Sequence, residues 1–184
     1  MDDTEKKNEE VDKEREEKVH EALLQDLKNK DEENAKILAE QAHPIDLAIA
    51  IEDLADEDIL YFASLLPDEK LAEIIEQADE DLQNHIMKIM SITRIMQVFQ
   101  FMSKDDIVDI LGNMPADRRK DIVNLMKTGD QKTIRDLLGY EENTAGGIMT
   151  TEYISVRNTL TVSQALAKVK DIAPKTEEIN TIYV

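Results

Sequence analysis

The feature that most constrains this chain is a start signal for short helices that returns every 11 or 12 residues. It runs through Asp56-Glu57-Asp58-Ile59, Pro67-Asp68-Glu69-Lys70-Leu71, Asp79-Glu80-Asp81-Leu82, Ser91-Ile92-Thr93-Arg94-Ile95, Ser103-Lys104-Asp105-Asp106-Ile107 and Pro115-Ala116-Asp117-Arg118. Each copy puts an N-cap residue, or a proline at the first helical position, ahead of an apolar run, and every copy but the one at Ser91 has carboxylates at its start. Ser103 and Asp106 have the spacing of a capping box, with aspartate in place of the usual glutamate. Such a spacing accommodates one short helix and a tight connection. A sheet within residues 45–135 is therefore excluded, and a superhelix in which short helices stack on their neighbours is expected from about residue 35 to 138.

Composition agrees with helix-on-helix packing. Apolar residues make up 41% of the 184, yet only 4% are aromatic and tryptophan is absent, so the core must be filled by Ala, Leu, Ile and Met. The expected buried set is Leu47, Ile51, Leu54, Ile59, Phe62, Leu65, Leu71, Ile74, Leu82, Ile86, Ile89, Ile95, Val98, Ile107, Leu111, Ile122 and Leu125. Met87, Met90, Met96, Met102, Met114 and Met126 fall at apolar positions of the helical pattern and are expected as core filler.

Two flanking segments differ. Residues 1–34 form a Glu/Lys-rich run whose apolar stripe (Val11, Val19, Leu23, Leu24, Leu27) is thin. Glu9 with Lys13 and Glu14 with Lys18 support a helix, and weak docking is expected. Residues 139–184 begin with a loop through Gly146-Gly147, where the glycines suit a turn needing positive φ. They continue with a strand at Tyr153–Val156, a helix capped by Thr161, and a second strand from Ile179 to Val184. Strand, helix, strand opens an α/β unit. Because the second strand ends the sequence uncovered, the chain is expected to be part of a longer protein. The expected class is mainly α, a superhelix followed by an incomplete α/β element.

Many chemistries are excluded. There is no cysteine, hence no disulfide, thiolate zinc site or cysteine nucleophile. The three histidines, His20, His43 and His85, lack metal-ligand spacing. His43 precedes Pro44 as a cap or loop residue, and His85 belongs at a surface or rim. No phosphate-binding glycine loop or nucleophile elbow occurs, and no enzymatic activity is expected. The longest uncharged stretches are about half the ~20 residues needed to span a bilayer, and the acidic N-terminus is not a signal peptide.

What remains is acidity. The net charge is −19. Residues 1–34 contribute −7 and residues 45–100 contribute −10, whereas residues 101–138 balance. Nucleic acid and anionic membrane would be repelled; cations or a basic protein surface would be attracted. Asp105 and Asp109 lie four apart on one helix, as do Glu69 and Glu73, so each pair shares a face. Carboxylates with water filling the remaining positions suit Mg²⁺ or Ca²⁺. A solvated acidic face is the ordinary alternative.

The segment Tyr140-Glu141-Glu142-Asn143-Thr144-Ala145-Gly146-Gly147-Ile148-Met149-Thr150-Thr151-Glu152-Tyr153 resembles the junction of the MgtE family of magnesium transporters. There an acidic superhelical N domain meets a pair of cystathionine-β-synthase-type (CBS) motifs. Thr159-Leu160-Thr161-Val162 with Ala165-Leu166 resembles the start of the first CBS motif, and His43-Pro44-Ile45-Asp46-Leu47 and Leu65-Leu66-Pro67 resemble the N domain. Beyond the acidic N-terminal segment (1–34) set apart by its composition, the resemblance, which runs from about residue 35 to 184, implies an N domain (35–138) and a linker with an incomplete CBS motif (139–184). It also implies a homodimer through the CBS region, and a transmembrane pore domain that places these domains at the cytoplasmic face of the membrane. In that family Mg²⁺ bridging acidic N and CBS surfaces favours a closed state. By motif position the implied ligands are Glu73, Asp105, Asp109 and the Gly147 carbonyl, with partner carboxylates beyond this chain. CBS pairs also often hold adenine nucleotides. The competing expectation is a helical scaffold for a basic protein, related to flagellar motor-switch proteins, with no ion role.

Overall fold

A computed structural model describes residues 3–141, 143–151, 153–172 and 181–184. Among these residues eleven helices and two strands follow one another: α1 (Asp3–Asn29), α2 (Glu32–Gln41), α3 (Pro44–Glu52), α4 (Asp56–Leu65), α5 (Asp68–Gln77), α6 (Glu80–Ile89), α7 (Ile92–Val98), α8 (Lys104–Asn113), α9 (Ala116–Leu125), α10 (Thr128–Leu137), β1 (Ile154–Ser155), α11 (Val162–Ile172) and β2 (Ile182–Tyr183). The chain divides into two compact units, the first ending at Met102 and the second starting at Ser103. That division follows packing, whereas the boundaries expected at residues 34 and 138 follow composition.

From α2 to α10 the first helical residues are 32, 44, 56, 68, 80, 92, 104, 116 and 128, so the period is 12 throughout. Each repeat has one plan. Position 7 of each helix from α3 to α10 is buried (Ala50, Phe62, Ile74, Ile86, Val98, Ile110, Ile122, Ile134). Position 11 lies past the helix, and from Leu54 to Met126 it is apolar and buried in every repeat. Where it is the C-cap, as at Leu66, Ala78, Met90, Met114 and Met126, its backbone is extended. Position 12 is the N-cap of the next helix and is also extended at Asp79, Ser91 and Ser103. Two extended residues in succession end the i→i−4 ladder and turn the chain. Asp79, Ser91 and Ser103 cap the following helices by accepting from the N–H three residues on. The Ser103 hydroxyl also donates to the Asp106 carboxylate, so the pair expected as a capping box meets side chain to side chain. Pro67 and Pro115 are themselves N-caps rather than first helical residues, and Asp56 is the first residue of α4 behind Ala55.

This plan corrects part of the expected core. Leu125 is 63% exposed, and Leu65 and Ile89 are only half-buried. All three occupy position 10, the last helical residue, and Phe101 at the same position is 53% exposed, whereas Leu137 at the end of α10 is buried there. The methionines divide as well. Met90, Met102, Met114 and Met126 are buried at position 11, in the junctions rather than in the helices, where an unbranched side chain fills the gap left by the turn. Met87 is a buried helical residue, whereas Met96 is half-buried.

Position 4 is normally apolar and buried, as at Leu47, Ile59, Leu71, Ile95 and Ile107. Three repeats carry a polar residue there instead. Gln83 Nε2 donates to the Ile75 carbonyl (2.9 Å), Arg119 NH1 to the Leu111 carbonyl (3.4 Å) and Gln131 Nε2 to the Val123 carbonyl (3.0 Å). Each reaches eight residues back to the last turn of the preceding helix, adding a second donor to a carbonyl that also accepts from the C-cap N–H. Gln83→Ala should therefore cost about 1 kcal/mol in urea denaturation, the net value of one partly buried hydrogen bond.

In the first unit the helices pack on their second neighbours: α1 on α3, α3 on α5 and α5 on α7, with α2 on α4 and α4 on α6. A side-chain ladder follows the even stack. The Tyr61 hydroxyl donates to Glu32 (3.3 Å) and His85 Nε2 meets Asp56 (2.9 Å), both joining position 6 of one helix to position 1 of the helix two before it. Arg94 ties α7 to the end of α4, donating to the Ala63 and Leu66 carbonyls and pairing with Asp68.

Helix α1 docks more firmly than its thin stripe suggests. Val19, Leu23 and Leu27 are buried. Arg15 Nε donates to Oδ2 of Asp46 (2.8 Å), a carboxylate left only 1% exposed, and His20 Nδ1 donates to the Ala50 carbonyl (2.8 Å). Arg15, Val19, Leu23 and Leu27 follow one another at four-residue spacing. That puts a charge, then three apolar groups, along the face that meets α3. His43 is the α3 N-cap, followed by Pro44, as expected.

In the second unit α10 packs on α8 and α9. Beyond the junction, β1 and β2 pair in parallel, Ile154 opposite Ile182 and Ser155 opposite Tyr183, with α11 as the crossover. Thr161 and Gln164 cap α11 reciprocally: the Gln164 N–H donates to the Thr161 hydroxyl and the Thr161 N–H to Gln164 Oε1. The expected βαβ order is present; the part of the second strand at Ile179 and Asn180 lies outside the described residues.

Candidate functional site

Helix α8 carries two of the expected ligands. Its start is set by the Ser103–Asp106 box, so Asp105 occupies its second residue and Asp109 its sixth, one turn apart on one face. Asp105 is half-buried and Asp109 exposed. Asp105 lies in the first turn, where the positive end of the helix macrodipole favours a carboxylate.

The junction after α10 folds back onto this helix. Thr144 organises it: its hydroxyl donates to the Glu141 carbonyl (2.7 Å), and the Gly147 and Ile148 N–H groups donate to the Thr144 carbonyl (3.0 and 3.1 Å). Gly146 faces the Tyr140 ring so closely that an added Cβ would lie 2.4 Å from Cδ1. This glycine is needed for ring approach and not for a left-handed backbone, since no described glycine has positive φ. Three residues past Gly147, Thr150 Oγ1 donates to Asp105 Oδ1 at 3.0 Å. One expected ligand carboxylate is thus held by the same short segment that carries another expected ligand, the Gly147 carbonyl.

Glu73 belongs to the first unit, on α5. It is half-exposed and pairs with Lys70 Nζ at 3.0 Å, so its charge is offset within its own helix. Among the described residues no three His, Asp or Glu side chains gather closely enough to hold a metal ion. Two residues were missed in the sequence. Lys70 could have been found from its i,i+3 spacing to Glu73. Thr150 had no local signal, because its contact spans 45 residues. No described helix is long and apolar enough to cross a membrane.

The fold and its acidic face define a class: a 12-residue helical repeat that runs through an ordered, glycine-containing junction into an α/β element. The sequence profile of the MgtE intracellular N domain matches residues 42–143, more than half of the chain. The chain belongs to the MgtE family. It is 31% identical over 175 residues to the magnesium transporter MgtE of Thermus thermophilus, covering 92% of this chain and 38% of that protein. It is 24% identical over 162 residues to the magnesium transporter MgtE of Bacillus subtilis, covering 88% of this chain and 35% of that protein. Among solved structures, the soluble part of a magnesium transporter superposes with a TM-score of 0.82 at 26% identity, over 92% of this chain and 67% of that one. The cytosolic domain of the Mg²⁺ channel MgtE in complex with ATP superposes with a TM-score of 0.81 at 30% identity, over 90% of this chain and 68% of that one. These match the expected mainly α fold with a small parallel strand pair. The chain spans well under half the length of the full-length transporters it matches.

Proposed function

We propose that this chain is the Mg²⁺-responsive regulatory portion of an MgtE-type magnesium transporter. In the second unit Asp105, Asp109 and the Gly147 carbonyl would donate to Mg²⁺ together with carboxylates outside this chain; in the first unit Glu73 would offer a carboxylate of its own. The observation that carries the reading is the pair Asp105 and Asp109 on one face of α8, with Asp105 fastened to the Gly147 segment by Thr150. All the proposed donors are oxygens, as Mg²⁺ prefers, and only one or two carboxylates per ion are needed because the cation keeps several waters. The electrostatics support a switch. Residues 45–100 carry a net −10, which repels other acidic surfaces unless cations intervene. Unit charges 4 Å apart interact by roughly 4 kcal/mol at an effective dielectric near 20, so a few bridging ions can decide between a compact, closed arrangement and an open one. The whole protein would then be a homodimer through its CBS region, with a pore domain in the cell membrane.

The test is limited proteolysis of the gene product containing this chain, with Mg²⁺ titrated at constant ionic strength against K⁺. Saturable protection by Mg²⁺ alone is expected. Equal protection by K⁺ would mean that the acidic face is merely screened, and absence of protection by either would remove the ion role.

A further inference from the structure

We infer that Thr150 is a positioning residue for the cation site, and that its hydroxyl sets how Asp105 presents its free carboxylate oxygen. The inference rests on the Mg²⁺ reading above and extends it to a residue that does not itself bind the ion. Thr150 Oγ1 donates to Oδ1 of Asp105 at 3.0 Å. A carboxylate has lone-pair sites on both oxygens, so one can accept from a hydroxyl while the other faces a cation. The bond fixes the rotation of the carboxylate and pins the junction to α8. Thr150 itself is exposed, so the bond makes little core.

Two further features make this more than a surface contact. The junction is internally built, through the Thr144 hydrogen bonds and the Tyr140–Gly146 approach, so its position relative to Thr150 is defined before any ion arrives. Gly147 lies three residues before Thr150, so the bond that orients Asp105 also holds the segment bearing the carbonyl ligand. Hydrogen bonds from beyond the ligands commonly govern metal affinity this way, and removing one typically lowers affinity 10–100-fold.

The test compares Thr150→Val and Thr150→Ser with the unaltered protein in the Mg²⁺ protease-protection titration, with thermal unfolding of each variant measured alongside. Valine keeps the shape and loses the donor; serine keeps the donor. The Mg²⁺ midpoint is expected to rise about 10-fold for Thr150→Val and to stay within about twofold for Thr150→Ser, with all unfolding midpoints alike. An unchanged midpoint for Thr150→Val, in a parent protein that responds to Mg²⁺, overturns this inference and leaves the Mg²⁺ reading standing. A serine variant that fails like valine assigns the loss to packing and overturns it too. A parent protein that does not respond overturns the Mg²⁺ reading, and this inference with it.

Discussion

Phe62→Ala is expected to destabilise the first unit by about 3–5 kcal/mol, the cost of truncating a fully buried phenylalanine. Phe62 is 1% exposed and occupies position 7 of α4, which is buried from α3 to α10. The loss combines transfer of the ring with the cavity left behind, and short helices packed on their second neighbours have little freedom to close it. For a unit of about 100 residues the midpoint should fall by roughly 15–30 °C. Because the chain has two compact units, a single midpoint for the whole would be poorly defined. Hydrogen exchange of α4 and α6 amides is the cleaner readout. Leu125→Ala is the control. That leucine is larger than alanine by as much as many core residues, but it is 63% exposed at position 10. Its effect should stay within about 0.5 kcal/mol. A large loss for Leu125→Ala, or none for Phe62→Ala, would show that the twelve-residue register is wrong.

The double substitution Asp105→Asn/Asp109→Asn is expected to raise the Mg²⁺ midpoint of protease protection by at least about 10-fold, equivalent to about 1.4 kcal/mol. Asparagine keeps the size and one acceptor oxygen but removes the charge, so the helix should stay folded; relief of like-charge repulsion at i,i+4 offsets the favourable dipole interaction that Asp105 gives up. Protection without Mg²⁺ should rise as well, because less repulsion is left to overcome. Helicity by circular dichroism checks the first point. An unchanged midpoint with unchanged helicity would make α8 a solvated acidic face.

Much of the fold is legible in the residues because helix boundaries are local. An N-cap serine or aspartate, a proline and the carboxylates behind them act within one turn, so the repeat and the closing βαβ order could both be read in advance. What was not legible is which apolar residues face inward at helix ends. Leu65, Ile89 and Leu125 have the composition of core residues. Their exposure depends on the geometry of the junction that follows each helix end, since Leu137, also the last residue of its helix, is buried. The docking of α1 was obscured for a related reason. Its stripe looks thin when only apolar residues are counted, but Arg15 belongs to it, because α3 offers a buried carboxylate to receive the guanidinium. The expected ligands on α8 followed from spacing and from family resemblance. Thr150 could not, since nothing in its neighbours points to a partner on α8.

A strict twelve-residue step makes the length of such a chain a quantised property. Adding or removing 24 residues would leave each later helix of the first unit on the stack it now occupies, and the Tyr61–Glu32 and His85–Asp56 type of rung could recur unchanged. Adding 12 would exchange the two stacks for everything downstream, carrying each outward face to the opposite side. Adding one residue inside a repeat would disturb the face and the junction of that repeat alone, because each later helix brings its own cap and its own buried positions. Descendants of this chain should therefore differ in length by whole pairs of helices, or by changes confined to α1 and to the segment after α10, where the count has no hold.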